Sequence, residues 1–342
     1  MTEMKDSITI EQGSGGSAMM ALISELVLKK ITRRGTGGVT LADLDDSGSI
    51  VVGDLEVVLT TDAHTVKPLF FPGGDIGALA ASGTLNDISV MGVRPLALSS
   101  SLVIEEGFPG SDLSRILGSM NGVLDEVGAD LITGDTKVLE RGDVDGLIIT
   151  TAGIGVCRAG STIRDSGLRD GDRILISGTV GDHGITILSV REGFDLQLET
   201  GSDVGPVWGI VSSALDVGGV TAMKDPTRGG LANALNEMAE KSGLGIEIDE
   251  EAIPVREDVR SASEILGVDP YSITNEGKVV IAVDDGLADR VLEAVRGTAR
   301  GREAAIIGTV VASHPGEVVM KTVVGGRRLM EAPVGDPAPR IC

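Results

Sequence analysis

Cysteine is nearly absent from this chain: Cys157 and Cys342 are its only two among 342 residues. That number excludes a disulfide framework and a thiolate-built zinc site. Aromatic residues make up only 2% of the chain, so its cores must be built from Val, Ile, Leu, Ala and Met. No apolar run approaches the roughly 18 residues of a bilayer span. Met1-Thr-Glu-Met-Lys-Asp6 has no signal-peptide apolar segment, so the protein is expected in the cytoplasm. Basic residues are also scarce. There are 29 Lys and Arg against 51 Asp and Glu, a net charge of −22. Phosphate backbones and anionic membranes need a basic surface, so neither nucleic acid nor membrane is an expected partner. An anionic nucleotide bound here would need a divalent cation between it and the protein.

What the chain has in quantity is glycine, 49 residues, implying many tight turns and close backbone approaches. Strand-like and helix-like segments alternate, which predicts an α/β class with two domains. Glu56–Asp62 reads as a strand ending in an acid. Asp75–Met91 reads as a helix with Asp75 as its N-cap. Pro95–Ile104 is strand-like, Asp112–Val127 helical, Asp130–Thr133 a short strand and Gly146–Cys157 a long one. Cys157, at the end of that apolar run, reads as a buried structural thiol. The polar stretch Ser161–Asp172 marks a domain junction. A second round follows: strand Arg173–Ser177, then helices near Gly184–Arg191, Pro206–Asp216 and Leu231–Lys241. Val279–Val283, Ala288–Val295 and Ala304–Val311 complete it.

Several acids fall where unpaired charge is costly. At 100° per residue, Ile76, Leu79, Ala80, Gly83, Val90 and Met91 share one helix face, and Asp87 lies in its middle. A carboxylate there needs a cation, metal or donor, or an escape to solvent at the helix end. Asp62 closes an apolar strand. Asp135 follows Asp130-Leu-Ile-Thr-Gly134 at what reads as a strand's C-terminal edge, where α/β proteins place ligands. Asp225 opens Asp225-Pro-Thr-Arg-Gly-Gly230, a turn feeding a helix. Each alone is an ordinary turn aspartate; four together suggest hard-cation ligands for Mg²⁺-nucleotide. Gly13-Ser-Gly-Gly-Ser17 precedes a helix candidate, Ala18–Lys30. Its amides could wrap phosphate oxygens, although it lacks the Walker A lysine and could equally be a linker.

The segment Ala332-Pro-Val-Gly-Asp-Pro-Ala-Pro339 carries three prolines and reads as an extended, solvated arm. Thirteen residues beyond Leu329 could reach roughly 40 Å at ~3.3 Å per residue. The arm ends in Pro339-Arg-Ile-Cys342, so its thiol could be carried into an active site as a substrate is. A frayed terminus with an incidental cysteine is the alternative.

With these residues assembled, the chain resembles the HypE family of hydrogenase maturation proteins. That family lies within the superfamily of aminoimidazole ribonucleotide synthetase and selenophosphate synthetase. The resemblance rests on Gly13-Ser-Gly-Gly16, Thr60-Thr-Asp62, Gly74-Asp-Ile-Gly77, Gly83-Thr-Leu-Asn-Asp87, Gly134-Asp-Thr-Lys137 and Gly181-Asp-His-Gly184. It is completed by Asp225-Pro-Thr-Arg-Gly-Gly230, Asn275-Glu-Gly277 and the terminal Pro-Arg-Ile-Cys342. The internal motifs point to the superfamily and the last four residues to the family.

The resemblance implies an α/β (α+β), two-domain aminoimidazole ribonucleotide synthetase-like fold. Residues 1–157 would bind ATP and dimerise, 158–328 would form the C-terminal domain, and 329–342 a flexible tail. The implied activity is ATP-dependent dehydration of a carbamoyl group on Cys342 to a thiocyanate, the source of the cyanide ligand of nickel–iron hydrogenases. HypF would load the tail, a HypC–HypD complex would receive the cyanide, and the enzyme would be a homodimer.

By the same resemblance Asp62, Asp87, Asp135 and Asp225 are the metal candidates for Mg²⁺. Gly13, Ser14, Gly15, Gly16, Asp75, Thr84, Asn86 and Thr136 are the nucleotide contacts. Cys342, Lys137 and Glu276 are the catalytic set. Glu276 coupled to Lys137 would act as base; alternatively Lys137 contacts the γ-phosphate and Glu276 is structural. His64 and His183 are polar neighbours. Two rivals stand beside this reading: a superfamily synthetase acting on a free small molecule, and an ATP-binding scaffold with a docking tail. No cysteine precedes Cys157, which counts against a selenophosphate synthetase.

Overall fold

In a computed structural model, residues 7–13, 15–193 and 201–335 are described. The chain begins with α1 (Gly16–Leu22), which continues through a wider-wound turn, Ile23–Leu28. Next come β1 (Gly48–Val52), β2 (Leu55–His64) and the short pair β3 (Phe70–Phe71) and β4 (Gly74–Asp75). The first half then runs through α2 (Ile76–Val90), β5 (Pro95–Glu105), α3 (Gly110–Val127), β6 (Asp130–Leu139) and β7 (Leu147–Arg158). Its main sheet has the order β1-β2-β7-β5-β6, antiparallel except for the parallel pair β5 and β6.

After the junction, the second half opens with β8 (Arg173–Ile176), α4 (Asp182–Arg191), α5 (Trp208–Val217), β9 (Val220–Lys224) and α6 (Gly230–Ser242). It continues with β10 (Gly245–Asp249), α7 (Glu257–Leu266), β11 (Val280–Val283) and α8 (Ala288–Arg296). It ends in β12 (Ala305–Val311), β13 (Val318–Lys321) and β14 (Arg327–Leu329). These strands form a seven-stranded sheet ordered β14-β13-β10-β12-β8-β11-β9.

α2 organises the molecule. Asp75 caps it as the sequence predicts, its Oδ1 accepting from the Gly77 and Ala78 amides at 2.8 and 3.1 Å. The one-sided face predicted for it is not what forms. Every residue from Ile76 to Val90 is buried except Ala78 and Asp87, which are half-buried. The helix lies on β2 and β7, and it touches α3, α5 and β9 as well. A helix wrapped on all sides is apolar on all sides, so its periodicity carries little direction.

The two halves do not have wholly separate cores. Ile185, Ile187 and Leu188 of α4, Val259 and Ala262 of α7, and Ile273 pack into the core that holds Leu79, Leu85 and Ile149. A second core lies between α6 and the larger sheet, around Leu235, Met238, Ile246 and Ile307. Cys157 is half-buried beside Val58 and Ile88, and burial pushes its thiol up. Among the described residues no helix is long and apolar enough to cross a membrane.

β6 differs most from its prediction. It runs ten residues where a four-residue strand ending before Gly134 is expected, and its residues are exposed up to the half-buried Leu139. An edge strand paired on one side tolerates the charges of Asp135 and Lys137 that read as a strand end.

Candidate active site

A cleft of about 730 Å³ opens between the two halves. Its acidic wall comes from four elements. Asp46 sits in the loop before β1, Asp62 near the end of β2, Asp87 on the last turn of α2, and Asp225 just after β9. Asp87 accepts from Thr60 Oγ1 at 2.8 Å, and Asp62 from Thr84 Oγ1 at 3.1 Å. Asp46 faces Lys224, Nζ to Oδ1 2.5 Å, and Lys224 also meets Glu237 at 3.2 Å and Asp165 at 3.4 Å. Burial alone would discharge Lys224; Asp46, Glu237 and Asp165 hold it charged.

Asp87 and Asp225 are poorly neutralised. Burial, followed by the charges of Asp62, Asp225 and Asp46, pushes the Asp87 carboxyl well above the usual range. Burial and then Asp46 do the same to Asp225. Asp45 beside them is pushed up to about 7 by burial and by Asp46 and Asp165. Asp46 Oδ2 and Asp225 Oδ2 are buried with no hydrogen-bond partner among the described residues. His64 also lines the cleft, and burial lowers its imidazole to about 4. It is therefore neutral at pH 7 and adds no positive charge.

Buried, unpaired carboxylate oxygens fit a hard divalent cation. Among the described residues no three acids or imidazoles converge as a complete ligand set. That suits Mg²⁺, which commonly takes one or two carboxylates and completes its shell with water and phosphate oxygens.

A carboxyl whose folded pKa is raised stabilises the fold at acid pH, and that stability is lost as pH rises through the folded value. Metal-free protein is therefore expected to melt at lower temperature as pH rises from about 5 to about 8. Added Mg²⁺ should restore more at the higher pH, because binding needs the deprotonated oxygens. Thermal melts at both pH values, with and without Mg²⁺, check this. A Mg²⁺ shift that is the same at both would mean the cation binds elsewhere.

The remaining predicted residues are distributed unevenly. Gly15 and Glu276 line the cleft with Asp62, Asp87 and Asp225; Gly13 and Gly16 do not. Ser14 and Cys342 lie outside the described residues. Thr84 is fully buried and reaches the cleft only through its bond to Asp62. Asp75 is engaged by its own helix cap and by Ser119 Oγ at 2.5 Å, and it does not line the cleft. Asn86 joins the halves: its amide donates to Gly205 O at 3.1 Å and its Oδ1 accepts from the Val207 amide at 2.9 Å. His183 bonds Ser202 Oγ at 2.7 Å and stacks edge-on against Phe71.

Asp135, Thr136 and Lys137 project from exposed β6, and none lines the cleft. The expected Lys137–Glu276 pair is not formed within one chain, because β7 and β5 stand between β2 and β6. Sequence reasoning missed Asp46 and Lys224. The doublet Asp45-Asp46 after Leu44 is a visible signal for the first; nothing local marks the second.

The glycine-rich loop behaves unexpectedly. The Ser17 and Ala18 amides, at the start of α1, donate to Pro333 O and Val334 O at 3.4 and 3.2 Å. Asn236 Nδ2 donates to Met330 O at 2.7 Å. The segment 330–334 thus straps across α6 and α1, next to Gly15 at the rim of the cleft. Gly16, at φ 64°, is required there: a Cβ would lie 2.2 Å from Pro333 O. Gly16→Ala is expected to unseat the strap, making it about tenfold more susceptible to limited proteolysis while the two sheets stay protected. Unchanged cleavage would show that the contact is dispensable.

Against known families, residues 44–157 match the AIR synthase related protein N-terminal domain, and residues 169–321 the corresponding C-terminal domain. A putative hydrogenase expression/formation protein of Methanocaldococcus jannaschii is 51% identical, over 98% of this chain and 99% of its own. Carbamoyl dehydratase HypE of Azotobacter vinelandii is 47% identical over 98% and 97%. A crystal structure of HypE in complex with ATP superimposes with a TM-score of 0.81 at 40% identity, covering 98% of this chain and all of that one. HypE in a HypE–HypF complex gives 0.84 at 41%, covering 91% and 99%.

Proposed function

Because the chain belongs to the HypE family of AIR synthase related proteins, we propose that it is an ATP-dependent carbamoyl dehydratase of hydrogenase maturation, acting on a carbamoyl group carried by its own Cys342. The observation that carries this reading is the strap. The chain leaves α1 at Val334, at the edge of an acidic cleft. Cys342 lies eight residues further on, at most roughly 26 Å at ~3.3 Å each, a useful length for a tethered substrate.

The chemistry follows from the groups present. A carbamoyl oxygen is a poor leaving group. Its attack on the γ-phosphorus of ATP, with loss of one N–H proton, gives an imidate phosphate and ADP. Breaking the C–O bond with loss of the second N–H proton releases phosphate and leaves S–C≡N. Mg²⁺, when bound, neutralises the transferring phosphates. One or two of Asp46, Asp62, Asp87 and Asp225 would hold it, with water and phosphate oxygens completing its shell. Glu276, buried at the cleft, would take a nitrogen proton.

The missing Lys137 points to a homodimer. The outer face of the five-stranded sheet exposes Leu55, Leu59 and Leu96, and its edge strand exposes Ile132. A second copy docked on this face would cover that apolar surface. It would also bring Asp135, Thr136 and Lys137 of its own β6 to this cleft. HypF would load the thiol, and a HypC–HypD complex would accept the cyanide.

The test is a single-turnover reaction of HypF-loaded protein with Mg²⁺ and ATP. One ADP per loaded tail, with the mass change confined to the C-terminal peptide, is expected. ADP release that needs a free small molecule and no loaded tail would favour a free-substrate synthetase instead.

A further inference from the structure

The turn that carries Glu276 is held by a residue outside the cleft. Asp203 Oδ1 accepts from the Glu276 amide at 3.1 Å, and its Oδ2 from the Gly277 amide at 3.2 Å. Its side chain is 2% exposed, and Lys278 Nζ lies 3.4 Å from Oδ2. Lys278 is in turn held by Asp182 at 3.7 Å. On the other side of the same peptide, Glu276 O accepts from the Gly205 amide at 3.3 Å and from Asn86 Nδ2 at 3.4 Å. The two main chains touch: a Cβ on Gly277 would sit 2.0 Å from Asp203 O. Both backbone polar groups of Glu276 are therefore fixed, and only its side-chain torsions remain to aim the carboxylate.

We propose that Asp203 is a positioning residue for the reaction: through its paired bonds to the Glu276 and Gly277 amides, and with Lys278 as its counter-charge, it sets where the Glu276 carboxylate meets the carbamoyl nitrogen. A neutral amide side chain has one accepting oxygen; a carboxylate presents two, one to each of the adjacent amides, in charge-assisted bonds. Buried ion pairing is weak evidence for stability as such. Its use here is placement, because a base displaced by about 1 Å can lose on the order of 100-fold in rate. This inference rests on Glu276 being the base.

Asp203→Asn keeps the shape but turns an N–H toward one of the two amides. It is expected to lower single-turnover kcat for conversion of the carbamoylated tail by roughly 10- to 100-fold, with KM for ATP within about twofold. The deciding measurement is a double-mutant cycle with Glu276→Gln. Asp203→Asn is expected to cost less than about twofold more in the Glu276→Gln background, because the group it aims is gone. An equal loss in both backgrounds, or a rise in KM matching the fall in kcat, overturns the proposal. If Asp203→Asn does not fold, Lys278→Gln is expected to give the same kcat-only signature at smaller size, and its absence there counts equally against it. Full activity of Glu276→Gln would instead remove the base assignment itself, a separate failure.

Discussion

Changing Cys342 to serine is expected to abolish the carbamoyl-to-cyano conversion while ATP affinity stays within about twofold of the parent. The two consequences separate because the proposed function puts the nucleotide in the cleft and the reacting carbon on the tail. Serine keeps the size of the residue but supplies an alcohol in place of a thiol, which is a much weaker nucleophile at neutral pH. Mass spectrometry of the C-terminal peptide reads the outcome. The parent should gain about 43 Da on loading and end about 25 Da above the free thiol, from the atoms exchanged. The serine variant should show neither. A variant that still supplied cyanide would sink the tethered-substrate reading and leave the scaffold reading standing.

Lys137→Ala and Asp225→Asn should each lower turnover by at least about 100-fold, as expected for groups acting on the transferring phosphate. Mixed together by co-expression, the two inactive chains should recover activity. If each cleft takes Asp225 from one copy and β6 from the other, a mixed dimer holds one intact site and one doubly damaged site. Random pairing makes about half the dimers mixed, so about a quarter of parental activity is expected. No recovery would mean that Lys137 serves its own chain or no site at all. The test is sharp because the single chain leaves Lys137 exposed on an edge strand, where simple structural importance predicts no effect in either arrangement.

Much of the local architecture was readable because local rules were obeyed. The Asp75 cap and the existence of a strand through Glu56–Asp62 were set by short stretches of the chain. Three of the acids singled out, Asp62, Asp87 and Asp225, do line one cleft. Each stood out because a carboxylate next to apolar or glycine-rich sequence has no cheap structural use. The fourth, Asp135, lay outside the single-chain cleft because β6 continues past Gly134 to Leu139. Strand length there is decided by pairing with β5, a long-range contact that periodicity cannot show. Asp75 and Asn86 carry motif positions, yet the fold spends their side chains on a helix cap and on the bridge to Gly205 and Val207.

The amino-acid order by itself determined the class of fold, the acidic character and the family, since these depend on residue types at short spacings. Only the three-dimensional packing decided that Asp46 joins the carboxylate wall, that Lys224 compensates it, and that the strap occupies the α1 amides. Those pairings connect positions far apart along the chain. They form because buried charge and unsatisfied amides must find partners wherever the core brings them together.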